Sequence, residues 1–122
     1  MLLEKVMKIQ LPQIVREFLA EMLGTFLLVL FGKGAGVQVK GKSDNFLSLA
    51  FGNGFSLMIG ILASGGISGG HLNPAVTLGL VSIKKCHWKK IPIFWSAQYL
   101  GAFLASAVLF GTYADFISKI SR

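Results

Sequence analysis

The feature that most constrains this chain is a helix start that leads into a helix too short to cross a bilayer. Ser68-Gly69-Gly70-His71-Leu72-Asn73-Pro74-Ala75-Val76-Thr77 follows one apolar segment and opens another, which stops at Lys84 and Lys85. Asn is a favoured N-cap, and Pro at the next position has its φ set for a first helical turn. Asn73, Pro74 and Ala75 therefore read as the start of a helix reaching about Ile83. Those ten residues rise roughly 15 Å, about half of a ~30 Å hydrocarbon core. Just upstream, the glycines and serines of 64–70 favour irregular backbone with unpaired carbonyls. Backbone of that kind is tolerated at membrane depth only when buried in protein or lining a watery cavity. A half-helix aiming its positive N-terminus at the midplane is one way membrane proteins build polar sites. The stretch reads as a re-entrant loop.

Composition supports the membrane setting. Hydrophobic residues make up 53% of the chain and charged residues 14%, with mean hydropathy +0.67. A net charge of +7 would suit nucleic acid, but the positives sit at the ends of apolar segments, as in membrane loops. Nucleic-acid binding is not expected. Cys86 is the only cysteine, which excludes an internal disulfide. Cys86-His87 has no partner ligands nearby in the sequence, and no nucleophile–base pair or phosphate loop stands out. We expect no metal, no cofactor and no enzyme activity.

Residues 1–13 form a short mixed segment, capable of an amphipathic helix and separated from the first span by Pro12. Leu2-Leu3 runs at once into Glu4-Lys5, which is not a signal-peptide pattern, so the first span is expected to direct its own insertion. Three spans are expected, over about 14–39, 46–63 and 91–114, with the re-entrant loop and half-helix at about 64–83. A polar turn at 40–45 joins the first two. Ser56, Gly60 and Ser64 fall four apart and form a close-packing face, as do Gly101/Ala105 and Ala102/Ser106. Trp88 and Trp95 at one end of the third span, with Tyr113 and Phe116 at the other, read as aromatic belts. Lys33 reads as a residue that snorkels to the interface. Glu21 lies deeper, and an intramembrane carboxylate is a functional candidate by default. The competing reading, favoured over proton transfer, is that it accepts backbone N–H groups of the irregular loop and braces it.

Charge sets the orientation. Residues 1–17 and 84–90 carry seven positives: Lys5, Lys8, Arg16, Lys84, Lys85, Lys89 and Lys90. The other five are Lys33, Lys40, Lys42, Lys119 and Arg122. Two full spans plus a loop that enters and returns put both richer segments on the cytoplasmic side.

With these motifs in hand, a family resemblance emerges. Ser68 to Thr77 resembles the first Asn-Pro-Ala signature of the major intrinsic protein family, the aquaporins and aquaglyceroporins. Ala20-Glu21-Met22-Leu23-Gly24-Thr25-Phe26 resembles its first-helix motif, and Ala97-Gln98-Tyr99-Leu100-Gly101-Ala102-Phe103 its third-helix motif. Phe31-Gly32-Lys33-Gly34 followed by Gln38 resembles the glycerol-conducting branch, although Lys33 departs from the small or uncharged residue usual there. The match runs from about Arg16 to Asp115.

The resemblance implies an all-α membrane protein with three transmembrane helices and one re-entrant half-helix, one half of the aquaporin inverted repeat. It assigns the carbonyls of Gly69, Gly70, His71 and Leu72 as an acceptor ladder and the Asn73 amide as a donor to the permeating molecule. The helix N-terminus at Pro74 disfavours protons and cations. Glu21 and His71 brace the loop. A narrowing residue, twenty positions before the signature Asn in this family, falls on Asn53, between Phe51 and Phe55. The implied activity is that of a passive channel in a lipid bilayer, the plasma membrane, for glycerol, water and other small neutral solutes. The full-length parent would be a homotetramer. The alternatives are a truncated, non-conducting subunit that pairs with full-length channels, half of a strict water channel, or an antiparallel pair of such chains. An ion-coupled carrier is disfavoured because Glu21 has too few buried carboxylate companions.

Overall fold

The computed structural model describes residues 11–39 and 46–120. Among these described residues four helices succeed one another: α1 (Gln13–Val39), α2 (Phe46–Ser68), α3 (Pro74–Ser82) and α4 (Ile91–Ile120), with a 3-10 turn at Trp88–Lys90 leading into α4. The expected amphipathic segment and the polar turn at 40–45 lie outside the described residues. At about 1.5 Å per residue, α1, α2 and α4 are roughly 40, 34 and 45 Å long, and α3 only about 14 Å. Phe46–Ser68 and Trp88–Lys119 are long and apolar enough to cross a membrane, with mean hydropathies of 1.8 and 1.6. Only 11% of each apolar window is buried in the protein, so these helices turn most of their apolar surface outward.

Helix α1 lies between the other two long helices. It runs antiparallel to α2: Glu21 meets Ser68, Gly24 faces Gly60, and Gly32 lies against Asn53 and Ser56. It runs parallel to α4: Glu17 meets Lys90, Glu21 meets Gln98, and Gln38 meets Tyr113. The starts of α1 and α4 therefore share one end of the bundle.

Small residues set these distances. A Cβ on Gly60 would stand 2.8 Å from the Gly24 carbonyl oxygen, and one on Gly101 would collide with the Met22 carbonyl. Backbone approach this close needs residues without side chains, the usual basis of helix association in lipid. Apart from Leu72 and Phe94, the buried set is correspondingly small or polar, including Ala20, Thr25, Ser56, Ser64, Ala97 and Ala105, while Phe46, Leu62 and Phe103 point outward.

Several boundaries differ from expectation. Helix α2 does not stop near Ala63 but continues through Gly65 and Gly66 to Ser68. The Ser64 hydroxyl donates to the Gly60 carbonyl (2.8 Å), and the Gly69 N–H to the Gly65 carbonyl (3.1 Å). These bonds hold the glycine pair in the helix and confine the irregular backbone to 69–73. Helix α4 passes Ala114 and reaches Ile120, with non-helical backbone at Tyr113 (φ −112°, ψ 17°). Of the two expected packing faces on α4, Gly101/Ala105 is buried, but Ser106 is exposed and bonds to the Ala102 carbonyl of its own helix. Trp95 is not a free belt residue, because its indole N–H donates to the Pro74 carbonyl (3.2 Å) and ties α4 to the start of α3.

Candidate functional site

The loop between α2 and α3 turns on three residues in the left-handed region, Gly69 (φ 93°), Gly70 (φ 64°) and Leu72 (φ 54°). The glycines take this conformation at no steric cost, but for Leu72 it costs about 1–2 kcal/mol. Two features hold Leu72 there. Its side chain is buried against Gly24 and Gly60, and its N–H donates to Glu21 Oε2 (2.8 Å).

Glu21 is the hub. Its fully buried carboxylate accepts four bonds: from the His71 N–H (2.9 Å) and the Ser68 hydroxyl (2.6 Å) at Oε1, and from the Leu72 N–H and Gln98 Nε2 (both 2.8 Å) at Oε2. Successive N–H groups in such a turn form a concavity for an anion, which the carboxylate fills. With the N–H groups drawn inward, no described residue donates to the carbonyl oxygens of Gly69, Gly70, His71 or Leu72.

Thr77 and Gln98 extend the network. The Thr77 hydroxyl donates to the Asn73 carbonyl (3.1 Å) and accepts from Gln98 Nε2 (3.0 Å). His71 Nδ1 lies 3.1 Å from the same hydroxyl. The single hydroxyl proton is committed to Asn73, so the ring donates through Nδ1–H and keeps Nε2 as an acceptor, a tautomer assigned from the network. Phe94 fixes the ring edge-on, with centroids 4.9 Å apart at 68°. Asn73 caps α3: its Oδ1 accepts from the Ala75 N–H (2.8 Å), and Pro74 occupies the first turn. The exposed Asn73 Nδ2 has no partner among the described residues.

Asn53, Phe51 and Phe55 are not brought to this loop. Asn53 precedes the end of α2 by fifteen residues, roughly 22 Å along the helix. Its Nδ2 donates to the Leu49 carbonyl (2.8 Å), while Phe51 and Phe55 stack on each other with centroids 5.8 Å apart. Phe55 also lines a groove of about 450 Å³ at the far end of the bundle, with Gly34, Gln38 and Tyr113 among its neighbours.

Sequence reasoning missed three participants. Glu17 is buried and pairs with Lys90 Nζ (2.8 Å), although by position it reads as an interfacial residue. Its spacing of four from Glu21, on the stripe that continues to Gly24, was the available signal. Gln98 and Thr77, polar residues inside apolar runs, were the others. No group of three His, Cys, Asp or Glu side chains that could hold a metal occurs among the described residues.

The sequence profile of the major intrinsic protein family matches residues 8–120. This chain belongs to the major intrinsic protein family. Members of this family are integral membrane proteins, and the chain has the all-α fold of one half of an aquaporin. It is similar to "Aquaglyceroporin-2" of Rhizophagus irregularis, 50% identical over 101 residues, which are 80% of this chain and 32% of that protein. It is also similar to "Aquaglyceroporin" of Plasmodium falciparum, 46% identical over 107 residues, 86% of this chain and 42% of that one. The X-ray structure of the aquaglyceroporin from Plasmodium falciparum superposes with a TM-score of 0.82 at 45% identity, covering 87% of this chain and 45% of that chain. The chain thus spans less than half the length of these major intrinsic protein relatives.

Proposed function

We propose that this chain forms one half of a passive transmembrane channel for glycerol, water and other small uncharged solutes. The observation that carries the reading is the loop at 69–72, whose four carbonyls accept no hydrogen bond from described residues while Glu21 holds the N–H groups of His71 and Leu72. A solute hydroxyl entering a membrane loses its water, and such a row of acceptors replaces it. Asn73 Nδ2 supplies the complementary donor, and the N-terminus of α3 repels cations and protons. Gly69, Gly70, His71, Leu72 and Asn73 are the pore-lining residues, with Glu21 and His71 as braces. Asn53 is the narrowing residue, with Phe51 and Phe55 beside it as the apolar, size-selecting side.

The glycerol branch is favoured by Gly32-Lys33-Gly34 with Gln38 and by the names of the relatives. Cytoplasmic placement of the N-terminus follows from the seven-to-five distribution of positive charges, and the ion pair of Glu17 with Lys90 supports putting both richer segments on one side. The plasma membrane and a homotetrameric full-length parent complete the proposal.

The test is stopped-flow light scattering on proteoliposomes holding this chain, challenged with sucrose and with glycerol. Water and glycerol should equilibrate faster than in empty liposomes, and the gain should disappear in Asn73→Asp. Background rates with insertion confirmed would instead assign the chain to the non-conducting subunit reading.

A further inference from the structure

Beyond the loop, the geometry points to a binding site for an anionic phospholipid headgroup at the junction of α3 and α4. A pocket of about 330 Å³ there is lined by Val81, Lys84, Lys85, Cys86, His87 and Trp88, with no acidic residue among them. Its shape comes from the backbone. Helix α3 ends at Ser82, Lys84 adopts a left-handed conformation (φ 60°), and the N–H groups of Lys85 and Cys86 both return to the Leu80 carbonyl. His87 then caps the 3-10 turn, its Nδ1 accepting from the Lys89 N–H (3.2 Å). A neutral ring that accepts at Nδ1 carries its proton on Nε2, a donor left free for a ligand.

The charges are available. Lys90 is committed to Glu17, and Lys89 lies over the Trp88 ring at 5.9 Å from its centroid. Lys84 and Lys85 have no ion pair among the described residues. Two ammonium groups and an imidazole N–H therefore edge a pocket that nothing in the described chain neutralises. This is the electrostatic complement of a phosphate diester.

Two exposed apolar side chains favour a lipid over a free anion. Ile83 and Trp88 flank the lysines and are 61% and 63% exposed. The run ends where α4 begins, so it lies at the level of the headgroups. An indole at that depth sits between acyl chain and water. A phospholipid uses both surfaces, its phosphate on the lysines and its chains along Ile83 and Trp88. Inorganic phosphate has no use for the second.

The experiment follows tryptophan emission of the full chain in a non-ionic detergent, with Trp88→Phe supplying the background from Trp95. The titrants are dioctanoyl phosphatidylglycerol, dioctanoyl phosphatidylcholine and inorganic phosphate. Phosphatidylglycerol should give a saturable change that phosphatidylcholine and phosphate do not. Lys84→Gln/Lys85→Gln should weaken it roughly 30-fold, at about a factor of five per lysine, while Lys119→Gln leaves it unchanged. An equal response to phosphatidylcholine, the same saturation with phosphate, or an unaltered affinity in the double variant would each overturn the assignment. If the double variant loses its helical circular dichroism, the contrast between the two lipids in the unaltered chain decides the matter.

Discussion

The two ends of the bundle are held together by different physics. Around Glu21, five residues from four other segments (Ser68, His71, Leu72, Thr77 and Gln98) form a buried network that also fixes Asn73 through its carbonyl. At the opposite end, the only side-chain bond between helices among the described residues is an exposed one from Gln38 to Tyr113 (3.1 Å), beside a groove of about 450 Å³ and the non-helical backbone of α4. Regular helices satisfy their own backbone and can cross a membrane on small-residue contacts alone. The loop at 69–73 cannot, and the bonds that Glu21 and Thr77 make to it answer that deficit. Polar side chains are concentrated where the backbone is irregular.

Removing the hub should break this contrast most severely. Glu21→Ala leaves two backbone N–H groups, a hydroxyl and an amide without their acceptor, and we expect a loss of about 3–5 kcal/mol. The midpoint of unfolding in dodecyl sulfate, followed by circular dichroism, reads the loss, and amide exchange should accelerate at His71 and Leu72. An unchanged midpoint would show that the loop stands without the carboxylate. Next comes packing. Gly60→Val places a side chain against the Gly24 carbonyl and Leu72 and should cost about 1–3 kcal/mol by the same assay. Gly54, where an added Cβ would meet nothing within 4 Å, is the control and should change within about 0.5 kcal/mol as Gly54→Ala. Thr77→Val removes the hydroxyl shared by Asn73, Gln98 and His71 and should cost about 1–3 kcal/mol, with the nitrogen resonances of His71 reporting loss of the Nδ1–H tautomer. The smallest effect belongs to the far end. Tyr113→Phe gives up one exposed hydrogen bond and should stay within about 0.5 kcal/mol, and a larger loss would erase the distinction between the ends.

Much of the architecture was legible because it is local. Apolar runs of spanning length, a Pro after an N-capping Asn, and small residues four apart all express their physics within a few positions. Sequence misled at Gly65-Gly66, a pair that signals a break in isolation but stays helical when the Ser64 hydroxyl and the Gly69 N–H bond back along α2. The site was legible only in part, because its braces come from distant segments. Nothing near Glu17 announces Lys90, and nothing near Gln98 announces that its amide divides itself between Glu21 and Thr77. Trp95 shows the same limit: an indole near a helix start reads as an interfacial anchor until Pro74, twenty-one residues earlier, turns out to be its acceptor.

The hub also imposes a timetable on biosynthesis. Glu21 is made first, and its partners Ser68, His71, Leu72 and Gln98 follow 47, 50, 51 and 77 residues later. At about 5–20 residues per second, the last arrives roughly 4–15 s after the carboxylate itself. Until then the nascent chain carries an acidic group and a glycine loop that have not yet found their full set of contacts. Helix α4, made well after α1, is the one that latches it.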